Sequence, residues 1–493
     1  MVGNCQPKLN IKLTMCVFFD RLSEVLLAPT SRILQGDETV NLTFIIIFAL
    51  YLLILILISV FDLKKTDTFS EYATAGKSQG LMAVTMTLLA TVVGASTTIG
   101  ITDTVNSIGF PGIWWLLFGA IGLLLQSFIL SEKVRKMDAD TLPDLAGKLV
   151  GKPAEVLLSI VIVVSWVGII AGQFVALSSI ISFATGISSK YLVAVVSFIV
   201  IIYTMSGGQL SVVKTDKIQL ILILIGITVC CGWLYFIKGG NVEPSDIEFL
   251  NKDYRPINLI NQFFVIGGVY FLGPDIMSRN FLAKDEQTAK KSALIAGLLL
   301  AVFSFLITMI GLWVRINVTP DELGGGKALM FVAGIVPKGI SMILMLGLVS
   351  AILSSTDTCI INASTIFVKD ILRKDSVNLV RVTVLIMGVI SLVLALAGRG
   401  DIMSLLSGAY SIYTPGIIFP LFIAIIVNDS KKLRLGVWMA AVITGGLFGL
   451  AGTYFMNLLS QTGVPEGVLT YLPLFGMLIS LIISISSIKM NKK

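Results

Sequence analysis

Long apolar runs recur along most of this 493-residue chain. The first, LTFIIIFALYLLILILISVF, covers residues 42–61 without a charged side chain. A helix rises 1.5 Å per residue, so about 20 apolar residues cross the hydrocarbon core of a bilayer. Only 13% of the residues are charged and 56% are hydrophobic, whereas about 25% are charged in an ordinary soluble domain. The sequence therefore predicts an all-α integral membrane protein.

The spacing of the apolar runs predicts about 13 transmembrane helices. They lie near residues 42–61, 81–105, 112–131, 154–183, 191–205, 218–237, 257–278, 292–314, 339–365, 382–397, 402–427, 436–456 and 469–488. All 36 lysine and arginine residues then lie outside the spans: 24 on one side of the membrane, 8 on the other and 4 in the N-terminal tail. Because cytoplasmic loops are rich in these residues, the richer side is expected inside the cell. This multi-pass topology in the cell membrane puts the C-terminus in the cytoplasm and the N-terminus outside.

The polar parts of the chain exclude several classes of protein. Residues 1–40 are expected to be an extracellular N-terminal tail, and residues 41–490 a single transmembrane domain. The net charge of +7 follows from this topology, so no nucleic-acid partner is expected. The chain has no histidine, and its five cysteines show neither metal-ligand nor disulfide spacing. Imidazole metal sites and histidine-based catalysis are therefore excluded, and no enzyme activity is expected.

Two of the predicted spans contain interruptions. LATVVGASTTIG at residues 89–100 has glycines beside hydroxyl side chains, and VIGGVYFLGPD at 265–275 has three glycines and a proline. Irregular backbone is tolerated at membrane depth only where it is buried in protein or lines a cavity. The two spans start about 176 residues apart, with four helices after each. This pattern favours an inverted repeat over about residues 81–427, with a binding site at the midplane. Close packing at the glycines is the alternative for either span alone.

The ninth predicted span is unusually polar. Its segment SAILSSTDTCIINAST, residues 350–365, holds four serines, three threonines and Asp357. An aspartate at mid-span costs roughly 2.5–3.5 kcal/mol on insertion scales. Residues one turn apart share a helix face, which predicts one oxygen-rich patch: Ser354, Ser355, Asp357 and Thr358. With carbonyls near Ala90 and Val93 this patch suits a dehydrated sodium ion. The alternative, in which each hydroxyl bonds its own i−4 carbonyl, leaves Asp357 unexplained.

Two other acids have two interpretations each. Asp216 precedes an apolar run, so it either caps a helix or reaches the patch on the ninth span. Asp103 lies in the outer half of the second span, where it either attracts a substrate amine or faces external water. The loop at 315–338 contains GGG and is either a plain connector or a partial lid.

Three segments together resemble the sodium:solute symporter family. They are SAILSSTDT at 350–358, GGQLSVVKTDKIQ at 207–219 and YFLGPDIMSRNFLAKDEQTA at 270–289. The resemblance covers about residues 42–430. It implies a LeuT-type fold, in which a leading helix precedes a 5+5 inverted repeat with two broken helices and further helices follow. It also implies a secondary active transporter in the bilayer that couples sodium ions to the uptake of a small organic solute.

Matching by position implies the site residues. The sodium-binding residues are Ala90, Val93 and Ala351 through their carbonyls, and Ser354 and Ser355 through their hydroxyls. A possible second cation would use Asp216, Asp357 and Thr358. Family members that hold this second ion have a hydroxyl residue where Asp357 stands, so the number of ions per cycle stays open. The substrate-binding candidates are Thr97, Leu116, Ile266 and Tyr270.

The substrate candidates favour an amino acid or a carboxylate as solute. The sugar-transporting branch has a long amide where Thr97 stands and an acid where Leu116 stands. The proline-transporting branch has residues that match Tyr270 and Pro274, although it has a tryptophan where Ile266 stands.

Two rival functions remain at this stage. One is a proton-coupled symporter on the same fold, with Asp357 or Asp216 accepting the proton. The other is a non-transporting membrane sensor, which the short segment after the last predicted span makes less expected. The oligomeric state is not predicted.

Overall fold

A computed structural model describes residues 42–240, 242–397, 402–461 and 465–489, and within these ranges every regular element is a helix. The predicted tail 1–40 lies outside the described residues, and the single domain over 41–490 stays a prediction. The helices up to residue 233 are α1 Leu42–Asp62, α2 Phe69–Thr74, α3 Leu81–Val92, α4 Ile101–Ile108, α5 Trp114–Ile129, α6 Ser131–Lys136, α7 Leu142–Leu149, α8 Lys152–Thr185 and α9 Ser189–Trp233. Those that follow are α10 Pro256–Gln262, α11 Gly268–Leu272, α12 Pro274–Leu282, α13 Glu286–Asn317, α14 Pro320–Leu323, α15 Ala328–Ile335, α16 Lys338–Ile366, α17 Val377–Leu396, α18 Ile402–Val427, α19 Leu435–Tyr454, α20 Met456–Ser460, α21 Glu466–Leu469 and α22 Leu472–Ser486.

Ten helical segments in the described ranges are long and apolar enough to cross a membrane, and a bent pair brings the number to 11. The 45-residue α9 is divided by a kink at Gly208, whose φ is 60° and ψ is −167°. A Cβ at this position would lie 2.8 Å from the Tyr72 ring, so glycine is needed here for both space and backbone conformation. The 15-residue α22 is also apolar. The all-helical membrane architecture is confirmed, and the count of 13 spans stays a prediction.

Both expected interruptions are present in the described helices. The first separates α3 from a helix that resumes at Ser96, and the two axes differ by 62°. The second lies at Gly273, which has extended backbone with ψ 149° between α11 and α12. Pro274 begins α12, a position that suits proline because the first residues of a helix need no intrahelical N–H bond. The backbone is therefore open at one point in each half of the repeat.

The hydroxyl-rich α16 lies at the centre of the bundle. It contacts α3, α8, α9 and α17, and every residue from Gly347 to Ile366 is buried. The outer helices instead expose large apolar side chains: Phe128 at 67%, Val164 at 67% and Ile482 at 68%. The bilayer therefore meets apolar side chains, while the polar groups of α16 contact protein, as intramembrane polar residues generally do.

Candidate functional site

The break after α3 frees a backbone carbonyl at the predicted sodium site. In a continuous helix the Gly94 N–H would donate to the Ala90 carbonyl, but here it donates to the Thr97 hydroxyl at 2.7 Å. The Thr97 hydroxyl in turn lies 3.2 Å from the carbonyls of Val92 and Gly94. Thr97 therefore stabilises the interruption. The Ala90 carbonyl becomes available to a cation, which is how unwound carbonyls serve in transporters of this architecture.

Helix α16 approaches this break at Ser355. The Ser355 hydroxyl donates to the Thr91 carbonyl at 2.9 Å. A Cβ at Gly94 would lie 2.6 Å from Ser355 Oγ and 3.3 Å from Nε2 of Gln173. Glycine is therefore required for the close approach of the two segments. All five predicted sodium ligands are buried in this region: Ala90, Val93, Ala351, Ser354 and Ser355.

Ser354 faces a buried ion pair. Its hydroxyl donates to Oδ1 of Asp216 at 2.6 Å, and the Thr87 hydroxyl donates to Oδ2. Nη2 of Arg279 lies 3.6 Å from the same Oδ2, and both charged side chains have no exposed surface. The hydrogen bond from Ser354 shows that Asp216 reaches the polar patch on α16. Because Asp216 lies inside α9 and not at its start, the helix-cap interpretation does not apply.

The Arg279 guanidinium donates hydrogen bonds from all three nitrogens. Nε and Nη2 donate to the Thr91 hydroxyl at 3.0 and 2.8 Å, and Nη1 donates to Oε1 of Gln209 at 2.7 Å. Nη2 also donates to the Thr358 hydroxyl. A guanidinium therefore lies between Thr358 and Asp216, two of the residues predicted to hold a second cation. Arg279, which the predicted topology puts directly after the seventh span, is buried within Pro256–Leu282, a helical segment that is apolar enough to cross a membrane. Its charge is tolerated there because it is paired and fully hydrogen-bonded.

Asp357, the third residue predicted for a second cation, contacts a different part of α9. Its Oδ1 accepts from the Thr204 hydroxyl at 2.6 Å, and its Oδ2 accepts from the Tyr203 hydroxyl. Both donors precede the kink at Gly208. Within the described residues Asp357 shares no hydrogen-bond partner with Asp216 or Thr358. The structure therefore divides the predicted second-cation set between two networks.

A cavity of about 20 Å³ lies between the two breaks, with room for about one water-sized group. Its wall includes Gly94, Ser96, Tyr270, Asp275 and Ser355. Of the predicted substrate residues Tyr270 belongs to this wall, whereas Thr97, Leu116 and Ile266 are buried outside it. Ser355 therefore belongs both to the predicted sodium site and to the cavity.

Asp103, in the part of the broken helix after the interruption, has its carboxylate paired with two neighbouring groups. Nζ of Lys327 lies 3.0 Å from its Oδ2, and the Ala328 N–H donates to its Oδ1 at 2.8 Å. Lys327 ends the glycine-rich loop, and Ala328 is the first residue of α15. Asp103 thus fastens this loop to α4, and of its two interpretations the one as an amine-binding residue has no support.

Ion pairs connect three segments at the opposite end of the broken helix. Nζ of Lys77 lies 2.6 Å from Oδ1 of Asp138 and 2.8 Å from Oδ1 of Asp140. Lys369, at the end of α16, also pairs with Asp140. Burial alone would raise the pKa of Asp140, but the hydrogen bonds from Lys369 and Lys77 outweigh it and hold that pKa below its usual value. The carboxylate is therefore charged at neutral pH and links the start of the broken helix to α16.

Two residues of the cavity were missed by sequence reasoning. Asp275 follows Pro274 directly after the second break, and Gln173 is an amide within the apolar α8. Both line the cavity. An acid immediately after an interrupted span, and a lone amide in a long apolar helix, are signals that could have identified them.

The sequence matches a family model and a well-characterised group of transporters. The model of the sodium:solute symporter family matches residues 72–445. A sodium/proline symporter of Staphylococcus aureus (strain JH9) is 24% identical over 486 residues, which cover 91% of this chain and 93% of that protein.

Two solved structures share the fold. A sodium-coupled sialic acid symporter in a substrate-bound outward-open state has a TM-score of 0.72 at 18% identity, covering 89% of this chain and 95% of that one. A nucleobase-cation-symport-1 family transporter in a closed conformation has a TM-score of 0.58 at 14% identity, covering 84% and 93%. The expected LeuT-type fold is therefore confirmed. The chain belongs to the sodium:solute symporter family, and it is a membrane transporter that couples sodium to the symport of a small organic solute and is not an enzyme.

Proposed function

We propose that the protein carries a small amino or imino acid into the cell together with sodium. The observation that carries this proposal is the position of Ser355, which hydrogen-bonds the broken α3 and also lines the cavity between the breaks. An ion bound at Ser355 would fix α3 against α16 and shape the cavity at the same time. That is the coupling between two sites that symport requires. The proline activity named for the S. aureus relative supports an amino or imino acid as solute.

The sodium ligands in this proposal are the carbonyls of Ala90, Val93 and Ala351 and the hydroxyls of Ser354 and Ser355. A hydroxyl has one proton to donate and two lone pairs. Ser355 donates its proton to Thr91, and Ser354 donates its proton to Asp216. Both oxygens therefore have lone pairs left for a cation, with the protons directed elsewhere.

The position of Arg279 supports a proposal of one sodium ion per cycle. Its guanidinium donates to Thr358 and lies 3.6 Å from Asp216. A second cation at this position would be close to a like charge, which disfavours its binding. In this proposal Arg279 therefore serves as a permanent cation where a second sodium ion would otherwise bind.

The solute would bind in the cavity once the two halves of the repeat separate. Its carboxylate would lie at the N-terminal end of the helix Ser96–Ile108, where the helix dipole favours negative charge. Tyr270 would form one wall, and Thr97, Leu116 and Ile266 stay candidates for the wider, open site. The excess of lysine and arginine on one side supports a cytoplasmic C-terminus and an extracellular N-terminus.

Uptake in proteoliposomes tests the proposal. We expect labelled L-proline or another small amino acid to accumulate when sodium is present outside, and not when potassium replaces it. Uptake driven by a pH gradient in sodium-free buffer would select the proton-coupled rival. Binding of solute without any uptake would select the non-transporting sensor.

A further inference from the structure

Two acceptor oxygens in the cavity wall have no donor. Oδ1 of Asp275 and Oε1 of Gln173 are both buried, and among the described residues neither has a hydrogen-bond partner. Gln173 is only 3% exposed, so bulk water does not satisfy its amide. Unpaired buried acceptors cost about 1–3 kcal/mol each, and more for a charged group. Two of them in one small cavity indicate a donor ligand that binds both.

Among the described residues no lysine or arginine forms an ion pair with Asp275, although the charge of Arg279 is near enough to act on it. Arg279, one turn later on α12, directs its nitrogens to Thr91, Gln209 and Thr358 and forms its ion pair with Asp216. The N-terminal position of Asp275 in α12 favours negative charge through the helix dipole. The backbone N–H groups of Asp275 and Ile276 also act on the carboxylate, but no donor in the described part of the chain meets hydrogen-bond geometry at Oδ1.

The remaining lining indicates the charge of the missing donor. None of the described residues that line the cavity is a lysine or an arginine, so no side-chain cation there favours an anionic group at the Asp275 end. Tyr270 and Tyr410 contribute aromatic rings to the wall, and aromatic faces attract cations. A volume of about 20 Å³ matches one ammonium group better than a whole solute.

We propose that Asp275 and Gln173 form the subsite for a positively charged nitrogen of the solute. The solute is then a primary or secondary ammonium compound, with its nitrogen donating to Oδ1 of Asp275 and Oε1 of Gln173. This assignment rests on the proposed sodium-coupled symport of an amino or imino acid. It adds that the ammonium group, and not the carboxylate alone, is required for binding.

Paired probes test the ammonium requirement. Thermal stabilisation of the purified protein in sodium buffer is measured with L-proline and cyclopentanecarboxylate, and with L-alanine and propionate. Each pair shares a carboxylate and differs in the nitrogen. We expect an amino compound to bind and its nitrogen-free partner to fail. Asp275→Asn should weaken that binding by roughly 30-fold or more, as loss of one partner of a buried charge pair does.

Controls separate this subsite from general damage. Asp253→Asn changes an exposed acid in an external loop and should leave binding unchanged. Stabilisation by sodium alone should persist in Asp275→Asn, and Gln173→Leu should weaken the amino compound several-fold as an independent variant. Unchanged binding in both variants, or equal binding of a nitrogen-free partner, would overturn the subsite alone. If no amino compound binds to the wild-type protein, the proposed solute class fails together with it.

Discussion

Removing the Ser355 hydroxyl should weaken sodium binding without preventing folding. In the wild-type protein this hydroxyl donates to the Thr91 carbonyl at 2.9 Å and keeps its lone pairs for the ion. Sodium would use the lone pairs of this hydroxyl and leave its hydrogen bond to Thr91 in place. Loss of that hydrogen bond in Ser355→Ala should therefore lower the free energy of unfolding by about 1 kcal/mol both with and without sodium, and it should hardly change the affinity for the ion. The lost ligand does not cancel. A bond to a charged group contributes roughly 1.5–3 kcal/mol, so the sodium concentration for half-maximal effect should rise about 10- to 150-fold.

A sodium titration of thermal stability measures this change without knowledge of the solute. Because sodium binds the folded state, the unfolding temperature rises with its concentration. Choline chloride keeps the ionic strength constant. Ser364→Ala serves as the matched control, since Ser364 is buried on the same helix and its hydroxyl has no hydrogen-bond partner in the described structure. If Ser355→Ala had the same sodium midpoint as the wild type and as the control Ser364→Ala, the assignment of Ser355 as a ligand would be refuted.

Three further substitutions test the separate roles of Asp216, Asp357 and Asp140. Asp216→Asn should raise the sodium midpoint several-fold, while the Hill coefficient of uptake for sodium stays close to one in both the wild type and the variant. A coefficient near two in the wild type that falls in the variant would instead assign Asp216 to a second sodium ion. Asp357→Asn should leave the sodium requirement of uptake intact, and loss of a pH-driven, sodium-free uptake in this variant would instead identify Asp357 as a proton acceptor. Asp140→Asn removes the ion pairs to Lys77 and Lys369. It should therefore increase labelling of the cysteine in Ser278→Cys, because Ser278 lines a small cavity beside Asp140. Because the pKa of Asp140 is lowered, its ion pairs stabilise the protein fully at pH values above the usual pKa of an aspartate. This stabilisation is lost only as the pH falls through the lowered pKa. With Asp140 present, labelling relative to a free-thiol standard, which corrects for the pH dependence of thiolate reactivity, should therefore be constant from about pH 6 to 8. Relative labelling that rises as pH falls within this range would contradict the prediction.

The parts of the site that depend on local sequence could be predicted. Glycines and a proline in an apolar run indicate an open backbone, and the structure has its breaks beside Gly94 and at Gly273. Hydroxyls that crowd one helix face indicate a buried polar wall, and α16 is buried from Gly347 to Ile366. Both inferences need only the rule that polar groups at membrane depth must be satisfied.

The parts that depend on which helices meet could not be predicted. Arg279 follows an apolar run, so hydropathy put it in a cytoplasmic loop, yet tertiary hydrogen bonds to Thr91, Gln209 and Thr358 keep it in the core. Asp357 was grouped with Asp216 because they match neighbouring positions of a family site. Its actual donors, Tyr203 and Thr204, lie before a kink whose effect on direction no local pattern reveals.

The two serines on α16 also suggest a reason for an acid and an arginine to be buried beside the proposed sodium site without being ligands in it. A serine oxygen binds a cation well only when its proton is directed elsewhere, because a hydrogen facing the ion repels it. Asp216 accepts the proton of Ser354, and the carbonyl of Thr91, freed by the break, accepts that of Ser355. A carboxylate this close would by itself bind a second cation or a proton. The guanidinium of Arg279, 3.6 Å away, removes that tendency and leaves Asp216 as an acceptor for Ser354. In the proposed site the buried ion pair would thus orient one sodium ligand, Ser354, without adding a second ion.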